Sequence, residues 1–142
     1  MDFIETEEQS MIREMVRGFA EETLAPTCLE RDREQRAPLQ EWLEFCNTTG
    51  LQGVTIPDEY GGNQVDSVSE SIIVEELARV DPSFSVMYCV HVGLCSMTIA
   101  LHGNEEQKNS TFQDLQEMRS VLIRFQRQAL GRMPRLWGVR QR

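Results

Sequence analysis

The residues of this chain whose types could do chemistry are few: His91 and His102, the carboxylate pair Glu75-Glu76, and Cys28, Cys46, Cys89 and Cys95. The two histidines are eleven positions apart, so on one helix they fall on roughly the same face, three turns from each other. That is too far to share a metal ion, and His91 reads as a satisfied core histidine. Glu75 and Glu76 are neighbours, and neighbours on a helix point apart, which argues against paired acid/base work. No two cysteines form a CxxC pair, which argues against zinc and against a disulfide framework. They read as reduced, buried thiols of a cytosolic protein, and the expected localisation is cytoplasmic. There is no glycine-rich phosphate loop and no HExxH. From these residues alone the chain is an acidic, soluble, all-helical domain with no catalytic set.

The element that must position anything else is the stretch Val74 to Lys108. Between Pro82 and Leu101 it holds no charged residue unless His91 is protonated. As a helix it would be about 30 Å long, close to the thickness of a bilayer core. Ser83, Ser85, His91, Ser96 and Thr98 interrupt it and neither flank is strongly basic, so a membrane span is not expected. Asp81 is a good N-cap, Pro82 suits the first helical position, and Gly103 lies where a C-cap falls. The expectation is a central helix hidden from water on nearly all sides.

Other helices follow from their caps. Thr6 to Gln9 is a capping box, and Met11, Ile12, Met15, Val16 and Phe19 then share a face. Ala25-Pro26 should stop that helix near Thr23. Pro26 opens a short second helix through Arg33, whose alternating charges (Glu30, Arg31, Asp32, Arg33, Glu34) read as a solvated face. Pro38 begins a third helix ended by Gly50. Leu51 to Gln64 is a structured loop with a short extended piece at Val54-Thr55-Ile56. Ser67 to Glu70 reads as a second capping box before a helix burying Val68, Ile72, Ile73 and Leu77. Asn104 to Gln107 caps a last helix through about Leu115. The count is about six helices. The acidic N-terminus is no signal or transit peptide.

The net charge of −9 hides two unlike parts. Up to Leu115 there are 7 basic and 22 acidic residues, and from Gln116 onward 7 arginines and one acid. One reading of the basic tail is a helical interaction module contacting an acidic partner or nucleic acid. Only Phe125 and Trp137 interleave its arginines, which is poor for base stacking, and no nucleic-acid partner is expected.

The order of short words along the chain resembles the N-terminal helical domain of the acyl-CoA dehydrogenase family. These words are Leu24-Ala25-Pro26, Gly50-Leu51-Gln52-Gly53, Pro57-Asp58-Glu59-Tyr60-Gly61-Gly62, Glu75-Glu76-Leu77-Ala78 and Gly103-Asn104-Glu105-Glu106-Gln107-Lys108. The resemblance covers Met1 to about Leu115. It implies an enzyme that oxidises an acyl-CoA to the trans-2-enoyl-CoA, with a glutamate taking the α-proton and FAD the β-hydride. It also implies a β-domain, a C-terminal bundle and a homotetramer. Base and flavin cleft lie beyond the helical domain in the family, so no catalytic or cofactor-binding residue is expected here, FAD should not be retained, and the chain should be inactive alone. Aligned on Gly103-Asn104, the family's positions beside the acyl tail fall on Val86, Met87 and Val90.

From Gln116 the chain departs from the family, which there has a strand and a loop reading like YxLSEAGAGSDA. Joining the third base of each codon to the first two of the next, Met133-Pro134 forces an alanine codon. The pairs upstream permit the rest of YSLSEAGAGSDA. Residues 1–115 are therefore expected to be the family domain, truncated before the catalytic parts. Residues 116–142 are expected to be an out-of-frame tail.

Overall fold

The computed structural model describes residues 4–116, with side chains for residues 4–112. The expectations for residues 117–142 lie outside the described residues. Within them the chain is all-α, with no strand. Helix α1 (Glu7–Phe19) runs into one turn of π-helix (Ala20–Leu24). Then come α2 (Cys28–Glu34), α3 (Leu39–Thr49) and α4 (Ser67–Val80). The continuous rod α5 (Pro82–His102) holds a π-helical stretch at Val90–Ser96, and α6 (Glu105–Gln116) closes the described chain.

The caps explain where helices start. Thr6 Oγ1 accepts from the Gln9 amide at 3.2 Å and Gln9 Oε1 accepts from the Thr6 amide at 3.0 Å. Asn104 and Gln107 exchange the same pair at 2.9 and 3.0 Å. Asp81 Oδ1 accepts from the Phe84 amide at 3.0 Å, with Pro82 at the first helical position. One expected cap moves by a residue. The α4 cap is Asp66, not Ser67, because the longer carboxylate reaches the amides of both Val68 and Ser69 and the Ser69 hydroxyl as well. These hydrogen bonds hold the Asp66 carboxyl down at about 2, with the Ser69 hydroxyl the largest cause.

Other expectations are corrected. α2 starts at Cys28 rather than Pro26. Val54 to Ile56 is turn and bend, not extended, because the Gly53 carbonyl accepts from the Ile56 amide at 3.0 Å. Gly103 stops α5 in an extended conformation rather than a left-handed one. Val68, Met11 and Met15 are exposed, so each of their helices buries a narrower stripe than the sequence suggested. Of the four thiols only Cys46 is buried, where desolvation pushes it up to about 12; all four are free.

The core forms where α1, α3, α4 and the inner face of α5 meet. Phe19, Trp42, Phe45, Phe84 and Tyr88 make a continuous aromatic cluster, with ring centroids 5.1 to 6.5 Å apart. Trp42, Phe45, Phe84 and Tyr88 are buried and each contributes about 2 kcal/mol or more, while Phe19 is partly buried against them. A smaller cluster joins Ile56, Tyr60, Ile99 and Phe112, so the loop after α3 is pinned under α6. Tyr60 donates to Glu105 Oε2 at 2.8 Å across that contact.

Candidate functional site

Two charged networks hold α5 and α4 in place. At the first turn of α5, the second Asp81 oxygen accepts from Arg31 of α2, whose other terminal nitrogen reaches Glu41 Oε1 of α3 at 2.8 Å. The Thr27 hydroxyl also accepts from Arg31. Arg31, Glu41 and Asp81 are all buried. The expected solvated face of α2 is therefore wrong at Arg31: one arginine of the alternating run turns inward and ties α2 and α3 to the cap of α5. In α4, Glu76 is buried while Glu75 is exposed. Glu76 accepts from Arg17 at 2.8 and 3.0 Å, from Arg13 at 2.6 Å and from Arg79 at 3.2 Å. Arg17 above all, with Arg13 and Arg79, pulls its carboxyl down to about 2. A carboxylate ionised that firmly and paired that fully is a structural anchor, not a general base.

His91 is buried against Trp42 with ring centroids 4.8 Å apart. The expectation that it is a core residue holds, but not that it is satisfied. Neither Nδ1 nor Nε2 has a hydrogen-bond partner among the described residues. Burial pushes the imidazole down to about 4, so it is neutral at pH 7. His102 is exposed, so the two histidines sit in unlike surroundings. His91 itself lies within the π-helical stretch Val90–Ser96.

Val86, Met87 and Val90 lie just beyond the Asp81 cap. All three line one open cavity of about 460 Å³ at the junction of α2, the α2–α3 loop and α5, whose other lining includes the charged and polar side chains of Arg31, Asp32, Gln35, Arg36 and Asp81. Val86 and Val90 are exposed and Met87 is half-buried against the core. Leu94, Met97 and Leu101 carry the same exposed apolar face toward the end of α5. The rod is therefore hidden on one side only, which corrects the expectation of near-complete burial. It is long and apolar enough to cross a membrane, yet its inner residues Phe84, Tyr88 and Val92 are core.

The glycine-rich turn at Gly61-Gly62 is closed on its own chain, since a Cβ on Gly62 would lie 1.9 Å from the Ile56 carbonyl oxygen. The cavity beside that turn is about 50 Å³, and no group of three metal-ligating side chains occurs among the described residues.

An all-helical unit with a charge-free rod, capped and anchored at one end and bare along one face, is a domain shaped for apolar contact. The family model for the acyl-CoA dehydrogenase N-terminal domain matches residues 6–119, and the chain belongs to that family. It is 40% identical over 108 residues to a short-chain specific acyl-CoA dehydrogenase of Clostridium acetobutylicum, covering 76% of this chain and 28% of that one. It is 34% identical over 103 residues to mitochondrial isovaleryl-CoA dehydrogenase of Bos taurus, covering 72% and 24%. The solved butyryl-CoA dehydrogenase of Megasphaera elsdenii superposes with a TM-score of 0.73 at 32% identity, covering 82% of this chain and 31% of that chain. The chain thus spans less than a third of the length of these relatives.

Proposed function

We propose that this chain supplies part of the acyl pocket wall of a flavin-dependent acyl-CoA dehydrogenase, with Val86, Met87 and Val90 as the residues beside the acyl chain. The observation that carries this reading is the cavity those three residues share at the anchored end of α5. An aliphatic tail needs an apolar wall with fixed geometry, because each misplaced methylene loses about 0.8 kcal/mol of burial. The Arg31–Asp81 contact supplies the fixing, since it ties the first turn of the rod to α2 and α3.

In this reading FAD, bound by parts of the full-length enzyme outside these residues, accepts the hydride. The described residues contribute walls and no proton transfer. The 142-residue chain is accordingly inactive and flavin-free alone, and the homo-oligomer is that of the full-length family. Residues 116–142 are an out-of-frame reading of the family's next strand and loop. The test of the wall is an exchange: residues 6–115 replace the matching segment of the Clostridium acetobutylicum enzyme. Val90→Trp in that chimera should shift kcat/KM toward shorter acyl groups, and an unchanged preference would remove the assignment. Sequencing the DNA after Leu115 decides the tail: a second frame without a SEAGAGSDA-like loop refutes the frameshift.

A further inference from the structure

The loop between α3 and α4 carries two short words that the acyl wall does not use, Gly50 to Gly53 and Pro57 to Gly62. They fold around the small cavity of about 50 Å³, which is lined by four glycines together with Gln52, Ile56 and Asn63. Gln52 Oε1 is buried and has no hydrogen-bond partner among the described residues. Two of the glycines bring further oxygens to the wall. A Cβ on Gly53 would lie 3.1 Å from Asn63 Oδ1, and one on Gly62 would press on the Ile56 carbonyl oxygen. The amide donors of the lining are spent within the loop. Those of Ile56 and Asn63 go to the Gly53 carbonyl at 3.0 and 3.2 Å, that of Gly61 to Asp58 at 2.8 Å and that of Gly62 to Pro57 at 3.2 Å. The Ile56 carbonyl accepts none of these hydrogen bonds. The cavity is therefore rich in acceptors and poor in donors.

We propose that this cradle binds a monovalent cation of the potassium or ammonium kind, which holds the loop against α5 and α6. A buried water has two hydrogens to give, so a third oxygen in the wall would face its lone pairs. A cation is attracted by every oxygen around it. The class of ion follows from the donors, which are neutral amide and carbonyl oxygens of the kind that replace the hydration shell of potassium. No carboxylate, imidazole or thiolate lines the cavity, and calcium, magnesium and zinc sites draw on those groups. The volume suits one small ion, since pockets for organic ligands start at about 300 Å³. The domain also gathers cations: up to Leu115 it has 22 acidic and 7 basic residues. The position gives the ion a task. The Leu51 carbonyl accepts from Tyr88 of α5 at 3.1 Å, while Ile56 and Tyr60 pack with Phe112 of α6. An ion joining Gln52 to the Gly62 turn ties those two contacts together. The inference does not rest on the acyl-pocket reading.

The experiment is urea unfolding of the 142-residue chain in potassium, ammonium and choline chloride at one ionic strength. Choline is too large for the cavity and sets the baseline. A site half-filled near about 10 mM raises the folding equilibrium constant about tenfold at about 100 mM of the fitting ion. The gain should saturate at fixed ionic strength. A gain in both salts marks a spherical ion, and one in ammonium alone marks an ion that donates hydrogen bonds; either supports the site. Gln52→Leu should lose the gain yet match or exceed the parent in choline, because it also removes a buried unpaired oxygen. A glutamine that only packs would instead lose stability equally in all three salts. Gln52→Glu presents an oxygen whichever way it turns, so it should keep the gain and reach it at lower potassium. Gly18→Ala, with open space around it, should respond as the parent does. Rubidium-soaked crystals should show an anomalous peak in contact with Gln52 Oε1. Equal stability in the three salts, a gain that Gln52→Leu retains, or a water in place of the rubidium peak overturns the proposal.

Discussion

His91 offers the sharpest perturbation of this fold. The imidazole is 1% exposed, packed edge-on to Trp42, and lacks a hydrogen-bond partner among the described residues. Burial lowers it from 6.5 to about 4. In the unfolded chain it takes a proton near pH 6.5, and in the folded chain only near pH 4. Between those values the unfolded state binds more protons, so stability falls as pH falls. At about 1.4 kcal/mol per pH unit, the loss across the window is about 3 kcal/mol, a large share of the stability of a domain this size. His91→Leu removes both the titration and two unpaired nitrogens, and should stabilise the fold at pH 7 by about 1 kcal/mol or more. The assay is urea unfolding of parent and variant from pH 7.5 down to pH 4. Glu76 and Asp66, both held down at about 2, titrate alike in the two proteins and cancel in the difference. The expected difference grows steadily below pH 6.5 and stops growing near pH 4. Parallel pH profiles would refute the reasoning.

Three further outcomes are expected. Arg31→Met leaves Glu41 and Asp81 buried without their cation, so urea unfolding should show a loss of about 3 kcal/mol or more. Gly62→Ala forces a Cβ against the Ile56 carbonyl and should lower the melting temperature, while Gly18→Ala, with open space around it, should not. The purified chain should be colourless, without bound flavin or turnover of any acyl-CoA; a yellow, active preparation would contradict the proposed role.

The helices were legible because their signals are local. A capping box such as Thr6 to Gln9, or Asp81 before Pro82, works through atoms within four residues, so sequence spacing reads it directly. Arg31 was not legible, because the run of alternating charge around it has the same pattern whether one member turns inward or none does. Its partners Glu41 and Asp81 are 10 and 50 residues away. Asp66 displaced Ser67 as a cap for a reason of reach that letter patterns do not encode. The half-bare state of α5 was hidden too: its composition is apolar all round, so only the packing of α1, α3 and α4 shows which side is covered. The three candidate wall residues came from the resemblance, and the structure brings them into one cavity. Nothing in their own letters distinguishes them from core.

The central claim is that the anchored end of α5 forms the wall beside an acyl chain. The most direct measurement is a crystal structure of the Clostridium acetobutylicum chimera carrying residues 6–115, with a bound acyl-CoA. The account predicts acyl carbons in van der Waals contact, about 4 Å, with Val86, Met87 and Val90. An acyl chain lying elsewhere, with those three side chains facing only protein, would contradict it.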